Sequence, residues 1–130
     1  MSPIRGDASD IYRLAADLSS VAARSVPALG AGMADAGRTV ERAWRNNAIV
    51  TSGVHGKHYP NSITSEVRAT ATGLVVEVGP DTSRPQGSMG RGFEFGSMNQ
   101  PPHLDGARAV ADNEARIEQI IDQAMGRVIP

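Results

Sequence analysis

The sequence contains no cysteine, which excludes a disulfide framework, a thiolate metal cage and a cysteine nucleophile. Aromatic residues are scarce. Trp44, Phe93, Phe95, Tyr12 and Tyr59 are the whole set, and a hydrophobic fraction of 40% rests heavily on alanine. So thin a core predicts modest stability for an isolated subunit, with oligomer contacts supplying the rest. Charge of one sign is also lacking: 13 basic residues face 14 acidic ones, for a net charge of -1. The basic or acidic runs that mark a nucleic-acid or anionic-membrane binder are missing, so sequence-specific nucleic-acid binding and membrane association are not expected. No apolar signal core opens the chain, and no window nears the roughly 20 apolar residues that span a bilayer. A soluble protein is expected, working where it is made or in a particle assembled there. No internal repeat is present.

The 130 residues fit one domain, with residues 1–7 as a flexible N-terminus. Asp7 or Ser9 can cap a helix starting near Ala8. Ile11, Leu14, Leu18 and Val21, then Val26, Leu29, Met33, Ala36, Val40 and Trp44, keep helical spacing. Pro27 and the glycines Gly30, Gly32 and Gly37 predict a bent or broken helix over about 8–46. Turn-rich residues predict two flexible loops, 46–61 and 79–92, both without core-forming residues. Between them, β-branched runs at 62–69 and 74–78 flank Thr70-Ala71-Thr72-Gly73 and read as a β-hairpin, with Leu74, Val76 and Val78 on one face. A short strand at 92–96 brings the sheet to about three strands. After Pro101-Pro102, the residues Leu104, Ala107, Val110, Ala111, Ile117, Ile121, Ala124 and Val128 trace a closing amphipathic helix. The class is α+β.

In Phe93-Glu94-Phe95, strand alternation places both rings on the buried face and Glu94 on the opposite one, and Gly96 lets the backbone turn away. Glu94 is then either a solvated glutamate or a partner in an intersubunit salt bridge or hydrogen bond. Trp44 either staples the end of the first helix to the sheet or anchors a subunit interface. The segment Phe93-Glu94-Phe95-Gly96-Ser97-Met98-Asn99-Gln100-Pro101-Pro102-His103-Leu104 resembles the aromatic-Glu-Phe-Gly-Thr signature, followed by Gln-Pro-Phe-Leu and a helix, of the tail-completion or head–tail connector family of long-tailed phages. Upstream, Ala43-Trp44-Arg45-Asn46-Asn47-Ala48 and Asn61-Ser62-Ile63 stand where that family has a Trp-containing helix end and an Asn/Ser-Ile step. The likeness runs from about residue 40 to 126. The loop before Ser62 is longer here, and His103 replaces the usual Phe.

The resemblance implies a non-catalytic structural subunit of the virion neck, of tail-completion or tail-terminator type, made in the host cytoplasm. It would form a ring of six copies through which DNA passes, and contact a connector, head-closure or tail-tube protein. Glu94, Trp44, Arg84 and Arg91 would be its subunit contacts; Phe93, Phe95, Gly96, Pro101, Pro102 and Leu104 would be its structural motif. No cofactor is implied.

Other signals are weaker. His55 and His58 could share a metal only with a third ligand that the local sequence does not offer. His103 can cap the last helix. Arg5-Gly6-Asp7 matches a three-letter integrin motif that recurs by chance, and Gly87–Gly92 lacks the context of a phosphate cradle. Asp7 and Asp10 sit at a helix start, and no nucleophile-elbow sequence is present. A small metal-dependent hydrolase using the loop histidines, and an arginine-based nucleic-acid adaptor, remain as alternatives to the assembly subunit.

Overall fold

Leu29, Met33, Ala36, Val40 and Trp44 line the buried face of a helix α1 (Val26–Thr51) in the computed structural model, which describes residues 26–71 and 73–127. The expected stretch 8–25 and the tail position Val128 lie outside the described residues. Elements β1 (Ile63–Thr70), β2 (Gly73–Pro80), α2 (Gly90–Phe95), α3 (Asp105–Asp112) and α4 (Glu114–Gly126) follow, with 3-10 turns at Pro60–Ser62 and Gly87–Met89. The class is α+β, as the hydrophobic periodicities require.

α1 is the element on which the others pack. The glycines that weaken it on paper are contact points. A Cβ on Gly37 would lie 2.8 Å from Val76 Cγ1 of the hairpin, and one on Gly32 would lie 2.5 Å from the Ala124 Cβ of α4. Helix propensity lost at these positions is offset by close approach of two neighbouring layers. α1 also runs past the expected stop at Asn46. Asn47 Nδ2 donates to the Asp105 carbonyl at 2.9 Å, Thr51 Oγ1 donates to the Asp105 carboxylate, and Ala48 is buried. These long-range bonds hold the last turn where local sequence reads as loop.

β1 and β2 pair antiparallel from Ile63↔Pro80 to Thr70↔Gly73, with Leu74 and Val76 buried against α1. Among the described residues the sheet has two strands, not the expected three. Of the expected strand 92–96, residues 92–95 belong to α2 and Gly96 ends it, and Phe93 and Glu94, neighbours in sequence, are both buried. A strand with one solvated face alternates buried and exposed side chains, whereas a helix can bury two in succession.

The two expected loops are shorter than predicted and tied together. Tyr59, inside the first, is fully buried and joins the core. In the second, Gln86 sits at φ 63° and its amide bridges the first loop, accepting from His58 N at 2.7 Å and donating to His55 O at 2.6 Å. Arg84 Nη1 donates to Asn61 O at 3.1 Å, and Asp81 N donates to Ser62 O at 2.8 Å. The Asp81 carboxylate is held below the usual carboxylate range by the Ser83 hydroxyl and N–H. Polar side chains, together with the buried Tyr59, close these segments.

The closing helix is two helices. Asn113 breaks it, with its Nδ2 donating to Ala109 O at 2.9 Å and its carbonyl accepting from Ile117 N at 2.9 Å. The break resets the helical phase, so Ala109, Val110, Ile117, Ile120, Ile121 and Ala124 are buried while Leu104 and Ala111, expected inside, are exposed.

Candidate functional site

The segment Phe93–Arg108 folds back on itself around Gly96. That glycine has φ 83° and ends α2, and a Cβ there would lie 2.9 Å from Pro102 N. Only glycine suits both the left-handed angle and the contact. Ser97 and Gln100 close a tight turn, after which His103 N donates to Phe93 O at 2.8 Å and Leu104 N to Glu94 O at 3.1 Å. The carbonyls left over at the end of α2 are thus taken up by the strand of chain that leads into α3.

Glu94 is 2% exposed and its carboxylate accepts from Gly106 N at 2.9 Å and Ala107 N at 3.1 Å. These are among the free N–H groups at the start of α3. Leu104, the residue before the helix, lies at φ 54° and supplies no side-chain cap. The cap comes instead from Glu94 in the preceding helix, where the positive end of the α3 dipole favours an anion. Burial pushes the Glu94 carboxyl above its ordinary value, against the pull of the Gly106 and Ala107 N–H groups, and the Asp105 charge pushes the same way.

Asp105 is fully buried beside it. Thr51 Oγ1 donates to both of its carboxylate oxygens, at 2.9 and 2.8 Å, Arg108 Nη2 lies 2.8 Å away, and His103 Nδ1 lies at 3.9 Å. Around the pair, the Phe93 ring lies 4.7 Å from Tyr59 and stacks on His103 at 5.7 Å. The Trp44 indole presses on Gly106, where a Cβ would lie 2.6 Å from the ring. The Tyr59 hydroxyl and Trp44 Nε1 are buried without a partner at hydrogen-bonding geometry. Burial raises the Tyr59 pKa, and Glu94 and Asp105 add to that, while the Trp44 indole beside it acts the other way. The carboxylate oxygens are occupied by backbone N–H groups, a hydroxyl and a guanidinium. Chemically the cluster is a clamp that fixes α1, α2 and α3 together.

Outside the clamp the same segment presents apolar side chains among the polar Ser97, Asn99 and Gln100. Phe95, Met98, Pro101 and Pro102 line the open surface of the turn, Met98 is 99% exposed, and Leu104 is exposed next to it in sequence. The faces expected for Glu94 and Phe95 are therefore exchanged: the carboxylate is inside and the ring is 41% exposed. Helical geometry, with about 100° between successive residues, is the reason. The intersubunit salt bridge or hydrogen bond read for Glu94 falls with its outward orientation.

The remaining candidates are placed as follows. Trp44 is buried in the core and not at the surface; it stands inside α1, which runs on to Thr51, and packs on Gly106 of α3. Arg84 bonds across to Asn61 O of the first loop and lies 3.7 Å from Asp81 of its own. Arg91 is exposed on α2, without an ion pair or hydrogen bond among the described residues. Phe93 and Gly96 build the clamp. His103 packs on Phe93, and its backbone rather than its ring serves the helix start. His55 and His58 are exposed, and among the described residues no group of three or more His, Asp or Glu side chains is placed to hold a metal ion. Arg5-Gly6-Asp7 and Asp10 lie outside the described residues. Asp105, Thr51 and Tyr59 were missed. Asp105 had a signal, an acidic residue in the first turn after a proline pair; Thr51 and Tyr59 stand in stretches that read as loop. Among the described residues, no helix is long and apolar enough to cross a membrane. A comparison with family models, curated proteins and solved structures finds no match to this chain.

Proposed function

We propose that the chain is a structural subunit of the head–tail junction of a long-tailed phage, a tail-completion or terminator-like ring component and not an enzyme. The observation that carries this reading is the segment Phe93–Leu104. Its order of aromatic, Glu, Phe, Gly, turn and Gln-Pro-Pro resembles the connector signature, and each residue type has a mechanical use. The carboxylate of Glu94 clamps α3, Gly96 makes the reversal, and Phe95, Met98 and the prolines project outward. A clamp that holds apolar side chains outward on a short rigid turn suits a contact surface for a neighbour in an assembly. Arg91, exposed and unpaired, lies in the same short helix as Phe95 and supplies a polar group.

The partners in this reading are further copies arranged in a ring, and the connector, head-closure or tail-tube protein on either side. DNA passes through the ring without sequence-specific contacts. No specific observation favours the hydrolase or the nucleic-acid adaptor. The test is in vitro joining: extracts of a phage lacking this gene should contain separate filled heads and complete tails, and adding the purified chain should join them. The M98D and F95D variants should fold yet fail to join. If the extract already holds joined particles without the chain, the proposal is wrong.

A further inference from the structure

Among the described residues the sheet has two strands, so each has an outer edge. An antiparallel ladder alternates bonded with non-bonded pairs. Its phase here is set by Asp81 N donating to Ser62 O, one step beyond the Ile63–Pro80 pair. Thr64–Gly79, Glu66–Glu77 and Arg68–Val75 are therefore the bonded pairs. Pro80, with no N–H to give, falls at a non-bonded position. It follows that Ser65, Val67 and Ala69 turn their N–H and C=O groups away from β2. Those of Ser65 and Val67 have no partner among the described residues. An edge of this kind is a template for another strand.

Two features limit the open stretch. At one end the Arg45 guanidinium caps Ile63 O, with contacts of 2.8 and 2.6 Å, and at the other the chain turns at Ala71. Ile63 and Ala71 are equally distant from Val67, so the open window is centred on that residue. Alongside it, between α1 and β1, runs a groove of about 270 Å³ lined by Ala34, Gly37, Arg38, Glu41, Ser65 and Val67.

Charge selects the occupant. Glu66 stands directly opposite Glu77 in the ladder, an unfavourable arrangement, and Arg68 pairs with Glu77. Glu66 is exposed and has no ion pair among the described residues. We propose that two copies of the chain join through β1, antiparallel and two-fold symmetric about Val67, into one continuous four-stranded sheet. In that register Val67 faces the partner's Val67, Ser65 faces the partner's Ala69, and all of these are bonded pairs. Glu66 then lies opposite the partner's Arg68, and Arg68 opposite the partner's Glu66, so one contact forms two complementary pairs. The β2 strand of a second copy could not do this, because Gly73–Pro80 contains no cation. The Val67 side chain of each copy enters the other's groove. The pairing also relieves a structural weakness, since two-stranded sheets are marginal and three or more strands are sturdier.

A two-fold pair closes on itself, whereas a cyclic ring needs head-to-tail contacts. The pairing therefore describes the free subunit, and it does not rest on the neck reading. Sedimentation equilibrium of the purified chain over a concentration series tests it. Wild type should be a dimer that dissociates on dilution. E66R, which sets cations opposite each other twice, should raise the dissociation constant about tenfold or more, and E66R/R68E should restore it by reversing both signs. V67P should also dissociate the dimer, because the Val67 N–H is not used within the hairpin. Circular dichroism checks that each variant is folded. A monomeric wild type, or an oligomer indifferent to E66R and V67P, overturns the pairing. Because joining of heads to tails is scored separately, failure of the dimer and failure of the neck reading are distinct results.

Discussion

Replacing Glu94 by alanine should destabilise the fold, although the residue looks in sequence like a surface glutamate. The substitution removes the acceptor for Gly106 N and Ala107 N, which lie 2.9 and 3.1 Å from the carboxylate, and leaves both donors at a buried helix start. Loss of a cap costs about 0.5–2 kcal/mol, and a buried donor left unsatisfied costs about 1–3 kcal/mol. Against this, the variant no longer buries a charge next to Asp105, which burial already disfavours. The net loss should be about 2–4 kcal/mol, a large part of the roughly 5–15 kcal/mol that holds a domain of this size together. Urea unfolding followed by Trp44 fluorescence measures it. With a slope of about 2 kcal/mol per molar, the midpoint should fall by about 1–2 M. A loss below about 0.5 kcal/mol would refute the idea that Glu94 caps α3.

Three further outcomes follow from the same geometry. Phe95→Ala, at a ring 41% exposed, should cost under about 1.5 kcal/mol, whereas Phe93→Ala should cost about 3–5 kcal/mol in the same urea assay; equal losses would mean the α2 helix is wrongly phased. The raised Glu94 pKa adds stability that is complete below its unfolded value near 4.5 and is lost as pH rises through the folded value. Wild type should therefore gain stability relative to E94Q as pH falls towards 4.5, and parallel curves for the two proteins would contradict this. Gln86→Ala should speed hydrogen exchange at the His58 amide at least about tenfold, because that N–H loses its acceptor at 2.7 Å; unchanged exchange would show that the bridge does not hold the loop.

Long periodic signals were legible in the sequence and short ones were not. The stripe Leu29 to Trp44 and the hairpin around Leu74 and Val76 are set by residues that are neighbours in the element itself. Phe93-Glu94-Phe95 is too short for a period to show, and its helical phase is decided by contacts with Gly106, His103 and Tyr59. The same holds at the end of α1, where Asn47 and Thr51 look like loop residues until Asp105, far along the chain, is brought to them. Leu104 looked apolar and therefore internal. It lies instead at a left-handed position outside the helix it was expected to start. Of the candidate contact residues, Trp44 and Glu94 are buried, since chemistry that suits an interface also suits a core, and for Glu94 the helix in place of the expected strand decides between them.

Electron microscopy of purified particles carrying a tagged version of this chain tests the central claim most directly. The account predicts label at one position only, the junction between head and tail, in a ring of identical subunits with Phe95 and Met98 facing a neighbour. Particles that are joined and infective but carry no label there would contradict it.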